Sequence, residues 1–263
     1  MPATAGLVAV CGFALGAVVG SFLNVVIYRL PRGQSVVFPA SHCPACLRPL
    51  CVWQNLPLLS WLCLGGRCAA CKAPIPWRYP LVELLGGVLF ALALLEFGLS
   101  LQALFACVLS ASLIAVTFID LDHLLILDAI TVPTAAAGLA FAVLSRQLTS
   151  ALEGALFGLV LLGVIYVATR GAGLGLGDVK LAAAAGLYLG LGPSIAAVLG
   201  SFVIGSLVAL PVLVLRKRGR REALPFGPFL VLALLLALFA PAALVGPFHA
   251  YQSFIAQRTY GGP

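Results

Sequence analysis

Apolar runs of roughly 17–25 residues recur along this chain, and that is the length an α-helix needs to cross a hydrocarbon core. Of the 263 residues, 62% are hydrophobic and only 9% are charged. A soluble domain carries about 25% charged residues, so a soluble all-helical protein is excluded. Eight spans are predicted, at about 7–27, 81–97, 101–119, 130–144, 152–168, 178–189, 194–215 and 226–245. The fold class is therefore all-α: a polytopic membrane protein with about eight transmembrane helices. The first run lacks a charged leader region. It is followed by Tyr28-Arg29-Leu30-Pro31-Arg32 rather than a small-residue cleavage site, and it reads as an uncleaved span. Small residues, as in Ala182-Ala183-Ala184-Ala185-Gly186, let helices approach closely in lipid.

The net charge of +7 raises the question of nucleic acid, but the basic residues lie in loops and form no basic-aromatic surface. Their placement fits membrane orientation instead. With the long polar segment 29–79 in the cytoplasm, Arg29, Arg32, Arg48, Arg67, Lys72 and Arg78 lie inside, as do Arg170, Lys180 and the five basic residues between 216 and 221. Only Arg146 and Arg258 fall outside, so thirteen of the fifteen basic residues agree with one orientation. The basic run itself reads as a stop-transfer cluster facing anionic lipid.

Within the polar segment, Cys43-Pro44-Ala45-Cys46 and Cys68-Ala69-Ala70-Cys71 form two CxxC pairs separated by 21 residues. Four thiolates in this arrangement suit tetrahedral Zn²⁺, and a fully protein-ligated site is structural rather than catalytic. A segment this short buries too little apolar surface to hold itself, so a metal is a plausible staple. The segment is expected to be a small zinc-ribbon-like module. Cys51 and Cys63 lie between the pairs as competing ligands, His42 reads as a bystander, and Cys11 and Cys107 read as small apolar residues within spans.

The chain has only eight acidic residues, so their positions carry information. Asp120, Asp122 and Asp128 cluster where the third span reaches the cytoplasmic side, and Asp178 begins the sixth span on that same side. Ionisable groups at membrane depth are costly and usually functional, although acids at span ends can also be merely solvated. Gly171, Gly173, Gly175 and Gly177 alternate before Asp178. Glycine permits unusual backbone and close approach of another chain, which suits a site for extended peptide. Two carboxylates that share a proton take different pKa values, and such a pair can activate water and polarise a peptide carbonyl. The spacing leaves Asp120 and Asp122 both open as the first member. A transporter with acids deep in its spans and a non-catalytic zinc scaffold are the competing classes. The clustering of the acids at one face favours chemistry there.

Four motifs in order resemble the bacterial type IV prepilin peptidases, the leader peptidase/N-methyltransferases of the GxGD aspartic membrane proteases. They are Gly20-Ser21-Phe22-Leu23-Asn24-Val25-Val26-Ile27-Tyr28-Arg29-Leu30-Pro31, the paired CxxC segment leading into Arg78-Tyr79-Pro80-Leu81-Val82-Glu83, Ile119-Asp120-Leu121-Asp122-His123, and Gly175-Leu176-Gly177-Asp178-Val179-Lys180. The resemblance implies removal of the leader peptide of type IV prepilins and type II secretion pseudopilins at the cytoplasmic side of the inner membrane. S-adenosylmethionine would then supply a methyl group to the new N-terminal amine. It implies Asp120 and Asp178 as the catalytic pair, with Gly175, Gly177, Asp122, Asp128 and Lys180 supporting the catalytic loops and Asp122 in reserve. Cys43, Cys46, Cys68 and Cys71 are the zinc ligands. Glu83 and Lys72 are candidates for the methyltransferase site, and Glu83 also reads as an ion-pair partner of Arg78, the slightly favoured reading. The resulting division is a first transmembrane helix (1–28), a zinc-binding, methyltransferase segment (29–80), a transmembrane peptidase domain (81–247) and a tail (248–263). Leu127 stands where many relatives have proline. Without the backbone restriction of proline, the fourth span can begin earlier.

Overall fold

The computed structural model describes residues 2–215 and 225–244. It comprises two compact units, Met1–Ile130 and Thr131–Pro263. In chain order the helices are α1 (Pro2–Arg29), α2 (Leu59–Cys63), α3 (Arg78–Phe97), α4 (Leu101–His123), α5 (Asp128–Leu144), α6 (Leu148–Ala168), α7 (Leu176–Leu189), α8 (Leu191–Leu215) and α9 (Gly227–Phe239). Short 3₁₀ turns occupy Leu30–Arg32 and Val52–Asn55. Among the described residues there is no strand, only two isolated bridges in the cysteine segment. The all-α expectation holds.

Every expected span falls on a helix, but the helices are unequal. Helices α1, α3, α4, α6 and α8 are long and apolar enough to cross a membrane. Helices α5, α7 and α9 have 17, 14 and 13 residues. At 1.5 Å per residue α7 reaches only about 21 Å, short of a hydrocarbon core of about 30 Å. Its ends explain why. It starts only after Gly175, whose backbone is extended, and stops at Gly190, whose φ of 73° leaves the right-handed region. Helix α5 begins at Asp128 rather than near residue 130, consistent with Leu127 in place of proline. The basic run 216–221, Arg258, Val245 and the tail 248–263 lie outside the described residues.

In the first unit, α1 packs along α3, and α4 packs against both. Lipid offers little hydrophobic drive between spans, so close backbone packing must hold them. A Cβ added to Gly16 would run into the Gly86 carbonyl, and one added to Gly86 would run into the Gly16 carbonyl. One turn on, a Cβ at Gly20 would stand 2.7 Å from the Cα of Glu83. The two backbones touch here. Helix α4 turns Leu109, Leu113 and Val116 into this unit, all essentially fully buried.

The second unit repeats the device. A Cβ on Gly154 of α6 would lie 2.6 Å from the Gly190 carbonyl, and one on Gly158 3.0 Å from the backbone of Ala182 on α7. Tyr188 lies against Gly138 of α5 and donates its hydroxyl to the Thr134 carbonyl at 2.8 Å. Leu199, Val203 and Leu207 of α8 recur every four residues and are exposed, as a lipid-facing stripe requires.

Gly16→Val should cost about 1–3 kcal/mol by overpacking a backbone contact. Gly6→Ala on the same helix meets nothing within 4 Å and should cause no loss. Thermal unfolding in detergent compares the two, and equal midpoints would refute the proposed basis of α1–α3 packing.

Candidate active site and metal centre

The cysteine segment is built from two copies of one backbone turn. In the first, Cys43 N–H donates to the Arg48 carbonyl (3.0 Å) and Leu47 N–H returns to the Cys43 carbonyl (2.8 Å). In the second, Cys68 N–H donates to Ala73 (2.8 Å) and Lys72 N–H to Cys68 (3.0 Å). Leu47 and Lys72 occupy equivalent left-handed positions, with φ of 57° and 61°. Outer bonds match as well, Leu50 N–H to Ser41 and Ile75 N–H to Gly66. The turns bring the Sγ atoms of Cys43, Cys46, Cys68 and Cys71 within 4.8 Å of one another. Cys43 and Cys71 Sγ are 3.8 Å apart. Zn–S bonds of about 2.3 Å in a tetrahedron require sulfurs about 3.8 Å apart, so the donor set fits a tetrahedral thiolate-bound ion. These four cysteines can hold a metal such as zinc.

The thiols interact strongly. Backbone N–H groups of Cys71 and Ala70 hold the Cys68 thiol down at about 6. At Cys71 the Ala73 N–H acts in the same direction, but desolvation and the thiols of Cys46, Cys68 and Cys43 outweigh it, pushing Cys71 up to about 11. One thiolate forms easily here and further negative charge is resisted. A bound cation offsets that resistance. Cys51 and Cys63 are exposed and outside the cluster, and His42 hydrogen-bonds the Ala40 carbonyl instead. Lys72 is exposed at a turn position, and its geometry is accounted for by the knuckle.

Glu83, near the start of α3, does not pair with Arg78. Its Oε2 accepts the Leu58 N–H at 2.7 Å, and Ser21 also hydrogen-bonds to it. The glycine at position 20 brings α1 close enough for that second bond. Asn24 donates to the Tyr79 carbonyl at 3.1 Å, and Arg29 donates to the carbonyls of Ser35 (3.2 Å) and Pro39 (2.8 Å). All three of Asn24, Arg29 and Glu83 are buried. The N-terminal motif thus seats the cysteine segment on α1 and α3, a role the sequence reading missed. Its signal was present: polar Asn24 and Arg29 stand at the end of an otherwise apolar run. Beside Glu83 lies a cavity of about 180 Å³ between the cysteine knuckles and the start of α3.

Arg78 reaches α4 instead. It forms an ion pair with Asp122, donates to the Phe118 carbonyl at 2.9 Å and lies over the Phe118 ring, 4.9 Å from its centroid. Asp120 and Asp122 are two residues apart, so they project from nearly opposite sides of α4. Asp122 is exposed and engaged by Arg78, whereas Asp120 is 6% exposed. Asp120 lies in the last turn, and its carbonyl accepts the Leu124 N–H that ends the helix. Asp128 is exposed in the first turn of α5, where a carboxylate favours the helix dipole.

Asp178 occupies the first turn of α7 and is also 6% exposed. Its Oδ2 accepts the Gly175 N–H at 3.0 Å, the reach-back of an N-terminal capping carboxylate. Of the alternating glycines, Gly171 alone has a left-handed φ, at 75°. Gly175 has an ordinary φ of −79°. A Cβ there would stand 3.2 Å from Oδ2 of Asp178, so this glycine makes room for the carboxylate rather than for unusual backbone. Lys180 is exposed on α7.

Known proteins match the same regions. Residues 14–97 match the bacterial peptidase A24 N-terminal domain, and residues 107–210 match the type IV leader peptidase family. The chain is 37% identical over 256 residues to the prepilin leader peptidase/N-methyltransferase of Aeromonas hydrophila, covering 86% of this chain and 88% of that protein. It is 40% identical over 249 residues to the protein of that name from Neisseria gonorrhoeae (83% and 86%), and 46% over 189 residues to that from Myxococcus xanthus (70% and 56%). No solved structure matches significantly. With these motifs in order on a multi-pass helical membrane protein, the chain belongs to the type IV leader peptidase family.

Proposed function

We propose that this protein is a membrane-embedded aspartic endopeptidase that removes the leader of type IV prepilins and type II secretion pseudopilins, with Asp120 and Asp178 as its catalytic pair. The observation that carries the reading is selective burial. Of the four aspartates, Asp120 and Asp178 are buried and Asp122 and Asp128 are exposed. Two carboxylates that share one proton divide the work. The ionised one takes a proton from water as the water attacks, and the protonated one polarises the scissile carbonyl. Gly175 leaves space around Asp178, and its N–H steadies one carboxylate oxygen. Asp122 positions α3 against α4 through Arg78. Gly177, Asp128 and Lys180 form the immediate surroundings of the two aspartates in sequence. The distribution of basic residues supports a cytoplasmic location for the cysteine segment and the acids.

The four cysteines are proposed to hold structural Zn²⁺. The names of the relatives support a second activity, N-methylation of the new amine with S-adenosylmethionine as donor. When bound, that donor supplies an electrophilic methyl group. The cavity beside Glu83 is close to the size that holds one benzene ring (about 150 Å³).

Leader removal from a prepilin by the purified chain in detergent tests the peptidase reading. Asp120→Asn and Asp178→Asn should each lose at least about a hundredfold in rate, while Asp122→Asn retains most of it. Full cleavage by either of the first two would remove that residue from the pair. Metal analysis should find one zinc per chain, lost in Cys43→Ser; iron at the site, or no metal, would refute the zinc assignment. Mass spectra of the trimmed product with excess S-adenosylmethionine should show a single added methyl group. An unmodified amine would count against the second activity.

A further inference from the structure

The carboxylate of Glu83 has binding capacity beyond its bond to the cysteine segment. It is 8% exposed and faces the cavity between the cysteine knuckles and α3. It has two hydrogen-bond donors, Leu58 N–H and Ser21. A carboxylate offers about four acceptor positions, so capacity is left over. Among the described residues no lysine or arginine pairs with it, since Arg78 is committed to Asp122. A buried acid without a cation is costly, and the missing charge points to a cationic ligand.

The walls narrow the choice. Leu50, Trp61, Ile75 and Tyr79 contribute apolar and aromatic surface. His42 also lines the cavity, but its Nδ1 is tied to the Ala40 carbonyl. Cys43 and Cys68 border it as well. The volume of about 180 Å³ matches one apolar side chain. The complement of these walls is a small cation attached directly to an apolar body, not a charge on a long stem. The α-ammonium of a polypeptide whose first residue is apolar has that form.

We propose that Glu83 and this cavity bind the free N-terminal residue of a trimmed polypeptide, the carboxylate holding the α-ammonium and the apolar walls holding the first side chain. This rests on the proposed function only in that such an amine is the product of leader removal and the acceptor of the methyl group. The site places the peptidase product beside the cysteine module rather than releasing it.

Binding of a short, C-terminally fluorescein-labelled peptide with an apolar first residue tests this by anisotropy, using the full zinc-loaded chain in detergent. The free-amine peptide should bind about tenfold or more tightly than its N-acetylated form. Glu83→Gln keeps an acceptor for the Leu58 N–H and should abolish that preference. Ala45 is exposed at the cavity wall, and Ala45→Phe should weaken the free-amine peptide through occlusion without disturbing the interior. Zinc content and unfolding temperature verify that both variants are folded. The proposal is overturned if wild type does not discriminate, if Glu83→Gln still does, if Ala45→Phe binds like wild type, or if an N-acetylated peptide carrying lysine binds as tightly as the free amine. Leader removal by the same wild-type preparation is read separately. Its failure would refute the peptidase function, whereas cleavage without amine preference would refute only this inference.

Discussion

Everything at the start of this chain depends on α1 and α3 touching backbone to backbone. Burial of apolar surface gives little reason for two helices to associate in lipid, so contact must be made close enough for dispersion and polar bonds to act. Glycines at 16, 20 and 86 remove the atoms that would keep the helices apart. The consequences extend to the end of α1. Ser21 reaches Glu83, Asn24 reaches the Tyr79 carbonyl, and Arg29 gathers the carbonyls of the following loop. A bulky residue at any of these glycines would displace the whole seat of the cysteine segment.

That segment solves a different problem with a similar economy. It has no strand or long helix and little buried apolar surface of its own. Two copies of one turn, each with a left-handed residue after its second cysteine, converge four sulfurs within 4.8 Å of one another. The thiol chemistry makes the same point, because neighbouring sulfurs resist joint ionisation until a cation is present. The Leu58 N–H to Glu83 bond joins the segment to α3. The cysteine segment and the helix packing are therefore connected through one carboxylate.

Much of this was legible in order along the chain. Hydropathy located a helix at each expected span, since that signal is local and needs no tertiary contact. It placed the sixth span at 178–189, within two residues of α7, whose shortness is set by Gly175 and Gly190 at its ends. CxxC spacing identified the cysteine cluster, whose geometry is largely set within each turn. The glycines before Asp178 divide between two requirements, and Gly171 takes a left-handed φ of 75°. Their alternation suggested unusual backbone, whereas at Gly175 the requirement is space for the carboxylate.

The sequence by itself determined the apolar helices and their order, the four-cysteine cluster, the small set of acids and the family. All of these arise from composition or from residues a few positions apart. Tertiary structure decided which partner each polar group takes. Arg78 crosses 44 positions to Asp122, and Glu83 accepts from Leu58 across 25, so Arg78 and Glu83, though neighbours in sequence, do not pair. It also separated Asp120 from Asp122, two acids with the same local pattern and opposite burial. Burial depends on which side of α4 meets neighbouring helices, and the sequence of α4 alone, apolar around most of its circumference, does not say.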